Sequence, residues 1–329
     1  MLAFRLHIKP IIRHSTKKIN VFTTVKTVEM ECFKFCTHEL KVEQISKVYY
    51  NNRNMQIRKG YPMEKIIILG TGNAAVTKCY NTCFAIENKN EYFLIDAGGG
   101  NGILTQLEKA QIKVTDIHHM FVSHEHTDHV LGVVWMIRMI GTAMNKGEYE
   151  GNLNIYCHEE LVDTIVTISR LTVAKKFFRF VGERIILVPV HDKEVVSIMD
   201  YDVQFFDICS EKTKQYGFTM QLMNGKKFTF IGDEYYRECE YEYALDADWF
   251  LHEAFCLYRD RDIFKPYEKF HATVKEACEN ATMLGVKNLI LYHTEDKTIT
   301  ERKKLYTQEG KEYFDGNLFV PDDLDRIVL

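Results

Sequence analysis

The chain has 329 residues, 46% hydrophobic and 27% charged, with a net charge of −4 and nine cysteines. This excludes a disordered or fibrous chain and fits a soluble globular protein of one large α/β domain or two ordinary ones. The cysteines are odd in number and scattered with no CxxC pair, which fits a reduced, cytoplasmic chain, and no apolar run reaches the ~20 residues of a membrane helix.

Charge is unevenly placed. Residues 1–62 hold 12 Lys/Arg against 4 Asp/Glu, and residues 63–329 hold 30 against 42. The first segment has no sustained period of 3.6 or 2, so a basic N-terminal extension is expected over 1–62 and a separate domain over 63–329. Three readings of the extension are open: a mis-assigned start with Met63 the initiator, a transit peptide, or an accessory segment.

From Met63 the pattern becomes regular. "KIIIL", "CFAIE" and "EYFLID" read as successive strands, the last two joined by a turn at Asn88-Lys89-Asn90. "NGILTQLEKAQI" reads as an amphipathic helix, "IHHMFVS" as a buried strand and "HVLGVVWMIRMIG" as a helix. His118 and His119 lie in that strand, one expected in the core and the other exposed. Further on, "RIILVPV", "VQFFDI", "GFTMQLM" and "KFTFIG" read as strands, and "DWFLHE" and "NLILYH" as buried strands. "TVKEACENATMLG" is a helix with a glycine stop. The C-terminal stretch reads as helix, turn and two short strands, "NLFVP" and "RIVL", which would close a sheet edge or support a homodimer. Strands in each half with helices interleaved predict two packed sheets covered by helices outside.

"SHEHTDH" at 123–129 follows a buried strand. On a tight loop, His124 and His126 can face one ion, and Asp128 and His129 a second. Neutral imidazole and carboxylate suit Zn²⁺, and Mn²⁺ or Fe²⁺ less strongly. A dinuclear site needs further ligands, one of them bridging. Asp233 in "FIGDE" and His293 in "LILYHTED" sit at strand ends and are candidates.

With these motifs in order, the chain from about Met63 onward resembles the metallo-β-lactamase superfamily. "HEA" and "HAT" followed by a strand-end histidine are similar to its ribonuclease Z branch of phosphodiesterases. The resemblance implies an αββα four-layer sandwich holding two metal ions. His124 and His126 would bind the first ion, Asp128 and His129 the second, Asp233 would bridge, and His293 would complete the second site. Asp96 in "FLIDAGGG" would orient the metal loop. Asp128 would also take a proton from the attacking water, and His271, held and polarised by Glu253, would contact the phosphate or protonate the leaving group. His252, in an apolar strand, reads as structural.

One position departs from the family. Where a histidine usually precedes "GF", "FFDICSEKTKQYGF" offers Cys209, with Asp207 nearby. A thiolate is a good zinc ligand, so Cys209 would serve as a metal ligand, or it is a buried cysteine beside a weakened first site. Both readings are open.

Ribonuclease Z proteins carry a glycine- and proline-rich arm that grips tRNA, and the corresponding interval here lacks that cluster. It holds one basic-aromatic run, "AKKFFRF", which reads either as an RNA contact or as an amphipathic helix. The expected function is a metal-dependent phosphodiesterase acting on RNA such as tRNA 3′ ends. The alternatives are a hydrolase of a small phosphodiester or related metabolite, and a non-catalytic metal-binding protein.

Overall fold

The computed structural model describes residues 64–329, and the extension expected over 1–62 lies outside them. Strand β1 (Lys65–Gly70) opens the domain, followed by the hairpin of β2 (Cys83–Asn88) and β3 (Glu91–Ile95). Lys89 and Asn90 turn that hairpin with φ of 53° and 67°, as a two-residue loop requires. Next come α1 (Gly102–Lys109), β4 (Ile117–Phe121), α2 (Thr127–Lys146), β5 (Leu153–His158), α3 (Glu159–Thr172), α4 (Lys175–Phe178) and β6 (Ile185–Val190). The chain continues with β7 (Val195–Ile198), β8 (Tyr201–Asp207), β9 (Tyr216–Gln221), β10 (Lys227–Phe230), α5 (Tyr241–Ala244) and β11 (Trp249–Glu253). It ends with α6 (Arg261–Phe264), α7 (Val274–Met283), β12 (Asn288–Tyr292), α8 (Arg302–Gly310), β13 (Asn317–Phe319) and β14 (Arg326–Val328).

These strands form two mixed seven-stranded sheets, ordered β14-β1-β2-β3-β4-β5-β6 and β13-β12-β11-β10-β9-β8-β7. The C-terminal strands β13 and β14 each close the edge of one sheet, as expected. Strand periodicity explains the layering. In β1, Ile66 and Ile68 point into the core between the sheets, while Ile67 and Leu69 point toward helices α1 and α2. Both faces are covered, so the strand reads as an unbroken apolar run. The second sheet repeats the pattern: Leu251 and Ile290 face the other sheet, and Phe250 and Leu289 face α7. Phe218 lies at the centre, its ring within 6.4 Å of those of Phe93, Phe121, Phe205, Phe228 and Phe230. The outcome is the expected αββα sandwich.

The structure corrects one detail. His118 and His119 are both half-buried: His118 pairs with the Asn152 carbonyl, and His119 stacks on Tyr156. The basic-aromatic run forms α4, packed so closely on α2 that a Cβ at Gly141 would stand 2.9 Å from the Phe177 carbonyl oxygen. Among the described residues, no helix is long and apolar enough to cross a membrane.

His252 on β11 is fully buried, shares a 2.6 Å hydrogen bond with the Glu253 carbonyl through Nδ1, and meets the Asn280 amide at Nε2. The carbonyl can only accept, so Nδ1 carries the proton and the ring is held neutral. Burial pushes its pKa down to about 4. Unfolding restores a value near 6.5, so the unfolded chain takes up the proton first as pH falls. Stability from this group is complete above pH ~6.5 and lost as pH falls toward 4, by about 3 kcal/mol. Urea midpoints at pH 7 and pH 4 should show that loss, and His252→Gln should flatten it. A wild-type midpoint independent of pH in this window contradicts the assignment.

Candidate metal centre

The site is built where strand ends of the two sheets meet. Strand β4 runs into Val122 and Ser123, the loop carries His124 to His126, and α2 starts at Thr127. Asp128 and His129 therefore occupy the first turn of α2, where the helix dipole favours a carboxylate. Only glycine allows this helix to press so close to the loop after β3: a Cβ at Gly132 would stand 1.8 Å from the Ala97 carbonyl oxygen.

Asp96 fixes the loop. It follows β3 in the left-handed region at φ 54° and is fully buried. Its carboxylate accepts the Ser123 backbone N–H, the Ser123 hydroxyl and His129 Nδ1–H, each at 2.8 Å. Because the Ser123 hydroxyl hydrogen goes to Asp96, its oxygen accepts from His124 Nδ1–H at 3.0 Å. In the neutral rings these bonds place the proton on Nδ1 and leave Nε2 of His124 and of His129 as lone-pair donors aimed inward.

Gly232, at φ 78°, turns the chain after β10 and delivers Asp233. Its Oδ2 lies 3.6 Å from His124 Nε2, 3.6 Å from His129 Nε2 and 3.4 Å from His293 Nε2. His293 follows β12 at φ 56°. Asp128 Oδ2 stands 3.5 Å from both His129 Nε2 and His293 Nε2. A tetrahedron drawn with zinc bonds of about 2.0–2.1 Å has edges of about 3.3 Å. Four separations among Asp128, His129, Asp233 and His293 fall at 3.4–3.6 Å, close to that edge. His129 Nε2, both ring nitrogens of His293 and Asp233 Oδ1 are buried with no hydrogen-bond partner among the described residues. Buried donors left unpaired around one point are what a divalent cation satisfies.

Charge in the cluster is balanced by mutual contact. Burial raises the Asp233 carboxyl, but His124, His293 and His129 outweigh it and hold it well below the usual carboxylate range. Asp128 is lowered likewise: burial opposes, and His129 and His293 prevail. Burial pushes His124 down, with Asp233 opposing. Burial also lowers His129, but Asp128 and Asp96 overcome it and raise the ring.

The structure thus brings together His124, Asp128, His129, Asp233 and His293. His126 joins through a 2.9 Å hydrogen bond between its Nδ1 and His124 Nε2. His271 reaches the same centre, its ligand atom within 4.8 Å of those of Asp233 and His293. It sits just before α7, whose capping box is Thr273 with Glu276, and its ring stacks on Phe255 at 4.7 Å.

Two expected residues are placed differently. Glu253 Oε1 is 3.8 Å from His271 Nδ1, too far for a hydrogen bond; it accepts the Ala272 backbone N–H instead. Glu253 therefore holds the backbone beside His271 rather than polarising its ring. Cys209 is neither a ligand of the cluster nor buried. It lies exposed on a turn at φ 57°, its N–H given to Asp207 Oδ1 and its thiol paired with that of Cys239. That turn throws the thiol outward, and the loop sends Lys212 inward three residues later.

A cavity of about 500 Å³ opens above the centre. Besides the cluster its walls include Glu125, inside the metal motif but given no role there, and Lys212, Phe255 and Lys269. Lys212 stands in a loop and Lys269 ends a single 3-10 turn, so no apolar period aimed them.

Sandwich and site together define a metal-dependent hydrolase of the metallo-β-lactamase fold. Residues 64–312 match the family model described as Anti-Pycsar protein Apyc1, and the chain belongs to that family. It is 25% identical over 317 residues to a ribonuclease Z from Thermococcus sibiricus, covering 81% of this chain and 97% of that protein. Among solved structures, the metallo-β-lactamase fold protein YhfI from Bacillus subtilis aligns with a TM-score of 0.64 at 14% identity, covering 81% of this chain and 99% of that one. The short form of human tRNase Z aligns with a TM-score of 0.62 at 21% identity, covering 80% and 98%.

Asp96 sets the tautomer and angle of His129 without facing the cavity. Asp96→Asn, whose amide nitrogen cannot accept, should lower zinc affinity about 10- to 100-fold with the fold retained. Competition against a chromophoric chelator measures this; unchanged affinity would show that the loop holds its shape without Asp96.

Proposed function

We propose that the chain is a phosphodiesterase whose substrate is a small phosphodiester seated in the cavity over the metal centre. The observation that carries this reading is an open cavity of about 500 Å³ floored by the His/Asp cluster and lined by two lysines. That volume suits a ligand of nucleotide size. A divalent cation held by Asp128, His129, Asp233 and His293, zinc by donor type, would polarise a phosphoryl group and acidify a water.

The chain's own groups do the rest. Asp128 is ionised and lines the cavity, so its carboxylate can accept a hydrogen bond from the attacking water and orient it. Lys212 and Lys269 bring positive charge to the phosphate oxygens. Burial pushes His271 down to about 4, so its imidazole is neutral at pH 7. A neutral ring is a hydrogen-bond donor to a phosphate oxygen rather than a strong acid for the leaving group. Glu253, through Ala272, keeps that ring in place.

A small substrate is favoured over RNA by the fate of the interval where a tRNA-gripping arm would stand. Its segments form β5, α3, α4 and β6 of the sandwich rather than a glycine- and proline-rich arm, with the basic-aromatic run packed on α2 through Phe177 and its lysines left exposed. The balance of −12 over residues 63–329 works against long polyanions. RNA cleavage is the second reading, supported by relatives named ribonuclease Z that match over nearly their whole length.

A panel running from bis(p-nitrophenyl) phosphate to precursor tRNA separates the two. Small-ester turnover should change by less than about threefold between ~50 and 200 mM salt, and a steep salt-dependent preference for RNA would overturn the first reading. His271→Ala should lower kcat about 10²-fold on p-nitrophenyl and alkyl esters alike, the loss of one transition-state hydrogen bond. A loss confined to the alkyl ester would mean that His271 protonates the leaving group.

A further inference from the structure

The two halves of the centre are unequal. On one side Asp128, His129, Asp233 and His293 supply four donors with near-tetrahedral separations. On the other, His124 and His126 converge to 2.9 Å with Asp233 3.6 Å away. Among the described residues, the groups that could hold an ion place His124 with His129 and Asp233, and none of them includes His126.

The segment that should supply the missing ligand, between β8 and β9, supplies Lys212. It is tied down at several points. Ser210 Oγ accepts the backbone N–H groups of Lys212 and Thr213 at 3.1 and 3.3 Å, and donates to Glu234 Oε1 at 2.6 Å. The Thr213 hydroxyl donates to Glu125, inside the metal motif itself. Lys212 Nζ stops 3.7 Å from Glu234 Oε1, with the side chain 19% exposed. Glu234 is already paired with Arg237 at 2.6 Å, so it does not consume the ammonium's charge. Lys212 lines the cavity and acts electrostatically on Asp233, His126, His271 and Glu253. A dication beside His124 and His126 would have only the shared Asp233 as a further protein ligand and would face a fixed positive charge.

We infer that this is a one-metal centre with a built-in ammonium: the Asp128, His129, Asp233 and His293 set holds one divalent cation tightly, and Lys212 supplies, from the His124–His126 side, the positive charge that a second ion would bring to a phosphate oxygen. The ion count rests on the metal centre alone. The phosphate contact rests also on the phosphodiesterase reading above.

The test is to strip the full chain with a chelator, titrate it with Zn²⁺ against a competing chromophoric chelator, and count retained metal by mass spectrometry after desalting. Wild type should keep one equivalent, with the second bound at least about 100-fold more weakly. Lys212→His removes the charge and offers a third donor, so it should keep two; Lys269→His, on the loop before α7, should keep one. Binding of inorganic phosphate to the one-zinc protein, measured by calorimetry, should weaken about tenfold in Lys212→Gln. Two wild-type equivalents of similar affinity, or one in Lys212→His, would overturn the inference while leaving the metal centre standing. No retained zinc in wild type would overturn the centre itself. Unchanged phosphate affinity in Lys212→Gln would overturn the ammonium's role, whatever the outcome with phosphodiesters.

Discussion

A buried carboxylate oxygen, Asp233 Oδ2, lies 3.4–3.6 Å from the Nε2 atoms of three histidines that follow β4, start α2 and follow β12. That convergence is the constraint on which the rest of the centre depends. Burying so many polar groups is costly unless each finds a partner. Here the partners are one another, plus the cation that the unpaired nitrogens invite. The arrangement tolerates little motion, and the surrounding structure is organised to prevent it.

Several features serve that end. The two sheets lock through an aromatic core centred on Phe218, which fixes how the ends of β4, β10 and β12 approach each other. Asp96 and His293 take left-handed backbone conformations that non-glycine residues rarely adopt. The first ties the metal loop to β3, and the second turns an imidazole back over the centre. Gly132 lets α2 sit close enough for its first turn to supply two of the ligands.

Much of this was legible in the sequence because the information was local. Unbroken apolar runs such as "KIIIL" mark strands covered on both faces, and three histidines within six residues after such a run leave few readings. Asp233 and His293 could be chosen because each ends a strand, where a side chain can leave the sheet. What could not be read depended on loop conformation. Spacing before "GF" pointed to Cys209, but one turn at φ 57° sends the thiol outward and brings in Lys212. Glu253 lies in the recognised motif, yet its bond to Ala272 rather than to the His271 ring is a matter of under an ångström. Strands β5 and β7 and helix α3 fell in stretches with no sharp motif to mark them.

The most direct test concerns Asp233 itself. Zinc added to chelator-stripped wild type should raise Tm by several degrees, since a ligand bound only by the folded chain stabilises it. In Asp233→Asn the zinc-induced rise, read against that variant's own metal-free Tm, should vanish, because the amide removes the shared anionic ligand. A full zinc-induced rise in Asp233→Asn would contradict the account.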